Sequence, residues 1–149
     1  MSSRIPQLDG AERPRNLAVL MREAFLVLNG RVLDHLAESG FPEVRAAHGA
    51  VFQYLDDTGT TVSVLAERAG MSKQAMAELV GYLEAHGYLR RVPDPGDRRA
   101  KLVLPTDTGT EVIRLAQALV PEVERQVAAL IGTARMRALR EDLEQLARF

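Results

Sequence analysis

The sequence predicts a mainly α-helical fold carrying one small β-hairpin, and three observations predict it. Residues 61–86 read as two helices joined by a short turn that contains glycine. Residues 88–104 read as two short apolar strands around "PDPGDRR". Long segments at both ends of the chain carry apolar residues at helical spacing. At 149 residues the chain has the length of one domain, 1–149, with a sizeable core.

The elements follow in order. In residues 15–38, Leu17, Leu20, Met21, Ala24, Leu28 and Val32 recur at spacings of three and four, and Phe25, Leu26, Val27 and Leu33 add apolar surface on other faces. A helix apolar on more than one side needs more than one neighbour. "SGFPE" at 39–43 interrupts it, and a shorter helix is expected over 44–55, ending in "DDTGT". "TVSVLAERAG" turns Val62, Leu65 and Ala66 inward and stops at Gly70. Ser72 is a good N-cap for the next helix, which runs to Gly87 with Met76, Leu79, Val80 and Leu83 inward. Lys73, Gln74, Ala77, Glu78 and Gly81 remain on its other face, where Gly81 suggests close approach of another backbone. Two such helices form a helix-turn-helix over 61–86. The hairpin that follows, with a long loop, makes the module over 44–104 a winged helix-turn-helix with its wing at 88–104.

Thr106 caps a second long helix near 107–131, striped by Val112, Leu115, Leu119, Val123, Val127 and Leu130, with a kink or break expected at Pro121. Gly132 and Thr133 separate a last helix at 134–148, striped by Met136, Leu139, Leu143 and Leu146. The end segments 15–38 and 107–148 carry more apolar surface than the small central module covers. They are expected to be dimerisation helices that pack on a second copy; the alternative is a monomer whose terminal helices fold back on the centre.

Composition narrows the function classes. The formal net charge is −1, but residues 67–101 hold seven Lys and Arg against five Asp and Glu, whereas the segments before and after are both net acidic. The absence of cysteine excludes disulfides, thiolate metal sites and thiol redox sensing. The polar lead over residues 1–16 has no apolar segment and no run approaches bilayer length, so no secretory signal or membrane span is expected and the chain reads as cytoplasmic. His35, His48 and His86 share no ligand spacing, so no metal is expected, and no cofactor motif occurs. Asp56 and Asp57 precede "TGT" and read as turn residues. With no nucleophile motif, phosphate loop or dinucleotide fingerprint, the chain does not read as an enzyme and no catalytic residue is assigned.

The path from "TVSVLAERAGMSKQAMAELVGYLEAHGYL" into "RRVPDPGDRRAKLVLPTDTG" resembles the multiple-antibiotic-resistance-regulator (MarR) family of bacterial transcription factors. The helix order extends the resemblance over nearly the whole chain. It is most specific in the Leu-Ala-Glu core of the helix-turn-helix, the "LEAHGYL" exit and the wing before "LPTDTG". The resemblance implies a homodimer held together by its terminal helices, binding a pseudo-palindromic operator in double-stranded DNA. It also implies repression that is released when a small aromatic or phenolic effector binds between the dimerisation helices and the DNA-binding lobe. The route through cysteine oxidation is closed to this chain.

Carried over by position, the resemblance makes Ser72 to Glu78 the start of a recognition helix. Ser72 and Lys73 would meet phosphate, or Lys73 a guanine edge; Gln74 would read adenine, and Ala77 would lie against a thymine methyl. Arg98 and Arg99 would reach phosphates or the minor groove, and Asp97 would hold one of them by a charge-assisted hydrogen bond. His48 lies under the expected effector cleft, as a ligand partner or as a satisfied half-buried histidine. Gly96 stands where many members carry a basic residue, and Glu78 occupies a position that is often basic. Both leave open a second reading, a winged helix used only for protein interaction or dimerisation. A small enzyme with a site in the helical cleft is a third reading, which no residue pair supports.

Overall fold

The computed structural model describes residues 7–149. The stretch before Gln7, on which the expectation about a secretory signal partly rests, lies outside them. The first described element is a miniature hairpin, β1 (Gln7–Leu8) and β2 (Ala11–Glu12). Its turn has φ of 52° at Asp9 and 77° at Gly10, the left-handed pair that an Asp-Gly turn favours. Helix α1 (Leu17–Glu38) starts where the Asn16 side chain accepts from Val19 N–H, and ends before Gly40, whose φ is 100°.

The expected helix over 44–55 is shorter and split. Arg45 is extended, so the helix starts only at a 3-10 turn, Ala46–His48, and continues into the four-residue α2 (Gly49–Phe52). The helix-turn-helix matches its sequence signals closely. Thr61 caps α3 (Val62–Ala69), Gly70 stops it at φ 64°, and the Ser72 hydroxyl accepts from Ala75 N–H at the start of α4 (Lys73–Ala85). Strands β3 (Leu89–Asp94) and β4 (Asp97–Pro105) pair antiparallel. Thr60 exchanges two backbone hydrogen bonds with Val103, at 3.0 and 2.9 Å, and ties the entrance of α3 to the hairpin.

Thr106 caps α5 (Asp107–Ile131), and after Gly132 the chain closes with α6 (Thr133–Leu146). The expected break at Pro121 does not occur. The missing N–H removes one hydrogen bond on an exposed face, and α5 runs on, packed against α1 on its other side. The core is one cluster: Leu36, Val51, Leu65, Met76, Leu83 and Val103 are buried with neighbours from every part of the winged module, and Val112 brings in α5. The architecture is the mainly α fold with a single wing hairpin that the sequence predicts. No helix among the described residues is long and apolar enough to cross a membrane.

One close approach fixes how these parts meet. The Thr106 hydroxyl donates to Gly87 C=O at 2.6 Å and accepts from Gly109 N–H at 3.1 Å, while Thr106 N–H donates to Tyr88 C=O at 3.1 Å. A Cβ on Gly109 would stand 2.0 Å from the Tyr88 carbonyl oxygen. Gly81 is the opposite case, since nothing lies within 4 Å of a Cβ placed there and the expected backbone neighbour is absent. Two substitutions follow. Gly109→Ala should lower stability in urea unfolding by about 1–3 kcal/mol, because backbone must move. Gly81→Ala should raise it by up to about 1 kcal/mol through helix propensity alone.

Candidate nucleic-acid interface

Helix α4 divides into two faces. Met76, Val80 and Leu83 are fully buried, whereas Ser72, Lys73, Gln74 and Glu78 are exposed and Ala77 is half-buried beside them. In its first turn the Ser72 hydroxyl satisfies Ala75 N–H and the Ser72 carbonyl takes Met76 N–H, so the N–H groups of Lys73 and Gln74 point out of the helix end. That end carries no acidic residue, and the partial positive charge of the helix adds to the Lys73 ammonium. An anion and a hydrogen-bonding edge could both be met on this surface.

The wing differs from the long loop expected at 93–99. The strands run to the tip, where Pro95 and Gly96 alone form the turn, and the register passes from Pro93↔Lys101 to Asp94↔Asp97. Arg98, Arg99 and Ala100 therefore bulge from β4 with no residue opposite. Asp94 Oδ1 accepts from Gly96 N–H and Asp97 Oδ1 from Arg99 N–H, both at 2.9 Å. Asp97 thus engages the Arg99 backbone instead of the expected guanidinium, because a short aspartate side chain reaches the N–H two residues on more easily than a side chain directed away from it. Arg98 and Arg99 are exposed, and none of the ion pairs among the described residues uses them. Strand alternation separates two further cations: Arg90 is exposed, and Arg91 lies back with Nε 3.4 Å from Glu84 Oε2, too poorly angled for a hydrogen bond. Arg90 escaped the sequence reading, although period-two alternation marks it.

A stack of rings steadies the flank of α4. Tyr82 lies between His48, at 4.7 Å between ring centres, and His86, at 4.1 Å, with the Arg45 guanidinium 5.7 Å from the Tyr82 ring centre. His48 Nδ1 accepts from Arg45 N–H at 2.9 Å, and burial first, then the charges of Arg45 and His86, push its imidazole below the ordinary histidine range. Beneath the stack the Tyr88 hydroxyl donates to Glu43 Oε2 at 2.6 Å. That bond holds the Glu43 carboxyl below its usual range, while burial first, then Glu43, raises the Tyr88 phenol.

A cavity of about 230 Å³ lies between α1, α2 and α5. Leu36, Phe52 and Val112 supply apolar wall, and Asn29, Gln53 and Gln117 supply side-chain amides. His48 does not line it. The sequence reading did not single out the three amides, which are scattered over three helices and share no spacing. At the far end, Leu17 and Phe25 of α1 and Leu130 of α5 are each more than half exposed, and α1 and α6 flank an apolar groove that includes Leu17, Met21, Leu139 and Leu143.

Residues 44–100, the span from the second helix through the wing bulge, match a family model described as MarR family. Over 88 residues the chain is 33% identical to the transcriptional activatory protein BadR of Rhodopseudomonas palustris. That match covers 58% of this chain and spans about half the length of the relative, 49%. The fold is that of the PcaV transcriptional regulator of Streptomyces coelicolor in complex with its natural ligand, at TM-score 0.70 and 24% identity over 96% of this chain and 97% of that one. It is also that of the transcriptional repressor CouR bound to a 23-mer DNA duplex, at TM-score 0.72 and 23% identity over 89% and 92%. Transcriptional regulator Tm0710 of Thermotoga maritima matches at 26% identity and TM-score 0.56 over 86% and 89%.

The buried imidazole makes a pH prediction. The folded chain resists protonating His48 and the unfolded chain does not, so the unfolded state binds more protons below about pH 6.5 and stability should fall there as pH drops. The loss tied to Glu43 has the same sign but begins only below its ordinary value of 4.5. Urea unfolding between pH 8 and pH 5 should show the first slope, and His48→Gln should flatten it. An unchanged slope would remove His48 as its source.

Proposed function

We propose that this chain, whose residues 44–100 match a model described as MarR family, acts as a dimeric, sequence-specific DNA-binding regulator of transcription whose hold on DNA is set by a small effector. The observation that carries this reading is the pairing of an exposed, cation-bearing helix end at Ser72–Gln74 with two unpaired arginines on a bulged wing of the same module. Lys73 and the free N–H groups of the first turn suit phosphate, the Gln74 amide suits an adenine edge, and Ala77 offers a methyl to thymine. Arg98 and Arg99, with Asp97 shaping the backbone beneath them, suit phosphates or a narrow minor groove. Glu78 could read a cytosine amino group, but beside phosphate it would repel, and that repulsion favours the second reading, an interaction module that does not touch DNA.

The apolar faces of α1, α5 and α6 suit a second copy, which would set two recognition helices about one turn of duplex apart. The cavity between α1, α2 and α5 suits an effector, because its walls join the dimerising helices to the winged module. CouR is a repressor and BadR an activatory protein. Repression fits an operator that overlaps the promoter, and activation one that lies upstream.

Fluorescence anisotropy on the DNA upstream of the protein's own gene, in a salt series, tests the reading. Affinity should fall steeply with salt. Arg99→Ala should weaken binding to all sequences and reduce the salt slope by about one. Gln74→Ala should relax preference at one base position by about 1–3 kcal/mol. Absence of binding at low salt would leave the interaction module instead. In sedimentation velocity the protein should run as a dimer, and Leu139→Arg with Leu143→Arg should give a folded monomer with much weaker DNA binding.

A further inference from the structure

One carboxylate stands on the exposed face of α4 among groups that suit DNA. Glu78 is exposed beside Lys73, Gln74 and Ala77, and none of the ion pairs among the described residues uses it. The residues one helical turn away are Gln74, Ala75, Gly81 and Tyr82, so its own helix offers no cation to neutralise it. Glu84, further along the same helix, is by contrast drawn to Arg91, 3.4 Å away. The surface around Glu78 is also shallow. Ala77 is half-buried, and a Cβ on Gly81 would meet nothing within 4 Å. A helix with so little bulk at that level can seat deeply in a major groove, which brings the carboxylate to base edges instead of phosphates. The sign of the effect follows from the chemistry. A carboxylate only accepts hydrogen bonds, and the phosphates of any duplex repel it. Guanine and thymine present acceptors in the major groove and add to that repulsion, whereas adenine sets an acceptor beside its donor, which suits an amide better. Cytosine alone offers an amino group with no acceptor on the same edge of the base. On this placement, and resting on the DNA-binding reading above, we propose that Glu78 selects operators by penalty, weakening binding to every duplex that does not present a cytosine N4–H at its position. Gln74 lies one turn, about 6 Å, before it along the helix, so the cytosine belongs within about two base pairs of the base that Gln74 reads. Such a residue gives up affinity for discrimination.

The test begins with the wild-type protein selecting its preferred operator from randomised duplexes at low salt. Fluorescence anisotropy then compares that duplex with versions in which each cytosine of a half-site, with its guanine, is replaced by the other three base pairs. At one position, loss of the cytosine should cost the wild type about tenfold in affinity or more. Glu78→Ala should bind those replaced duplexes about threefold tighter than the wild type or better, and its own preference there should fall below about threefold. Glu78→Gln, which keeps an acceptor and adds a donor, should shift the preference towards adenine. N4-methylcytosine keeps its pairing N–H and puts a methyl group in the groove where the free N–H was. At that position it should cost the wild type as much as a replaced pair and the Glu78→Ala protein much less. A Glu78→Ala protein that gains equally on all duplexes, or loses affinity on all, would overturn the selection, as would undiminished wild-type binding to the methylated duplex. Failure of the wild type to retain any duplex would instead overturn the DNA-binding reading beneath it, so the two failures are distinguishable.

Discussion

The molecule depends on the contact of Gly109 with the Tyr88 carbonyl. At that point the exit of α4, the first residue before β3 and the first turn of α5 occupy the same few ångströms, tied by both the hydroxyl and the N–H of Thr106. Only a residue without Cβ permits it. The surface proposed to read DNA and the helix proposed to carry a second subunit are therefore joined through close backbone contact, to which the Thr106 hydroxyl adds a side-chain tie. Relative motion of the two would have to disturb this joint, the packing of α1 on α5, or the burial of Val112 in the shared core.

Around the joint, order is supplied where the chemistry needs it. The ring stack of His48, Tyr82 and His86 holds the outer flank of α4, and the Tyr88–Glu43 hydrogen bond anchors the loop below it. The wing takes its shape from two aspartates that cap their own backbone, which leaves the guanidinium groups of Arg98 and Arg99 unengaged. A side chain already committed to an internal ion pair would have to give that up before meeting a phosphate; these two do not.

Much of this was legible in the sequence where the signal is local. Ser72 and Thr106 announce helix starts because a hydroxyl can reach the N–H three residues on, and Gly70 announces a stop because the left-handed backbone costs it nothing. The buried and exposed faces of α4 follow from helical periodicity. What was not legible depends on partners distant in the chain. The register jump that frees Arg98 and Arg99 is a property of two strands together, so the sequence alone predicts a long loop there. Asn29, Gln53 and Gln117 meet only when three helices pack. At Pro121 the ring alone predicts a kink or break, and the packing beside it, which one residue does not reveal, keeps the helix unbroken; Gly81 predicts a close contact, but a missing side chain does not say whether its space is filled. The Asp9-Gly10 turn is the exception, a local signal that was passed over inside a polar lead.

The unbroken course of α5 has a mechanical consequence. Its 25 residues span about 37 Å from the joint at Thr106 to Gly132, and the cavity opens beside its second to fourth turns. A rod pivoting near one end magnifies displacement: a tilt of about 5° at the cavity would carry the other end about 3 Å, comparable to the rise between neighbouring base pairs. A break at Pro121 would have dissipated that gain halfway, so the continuity of the helix through its proline sets how far the footprint of the proposed effector would be felt.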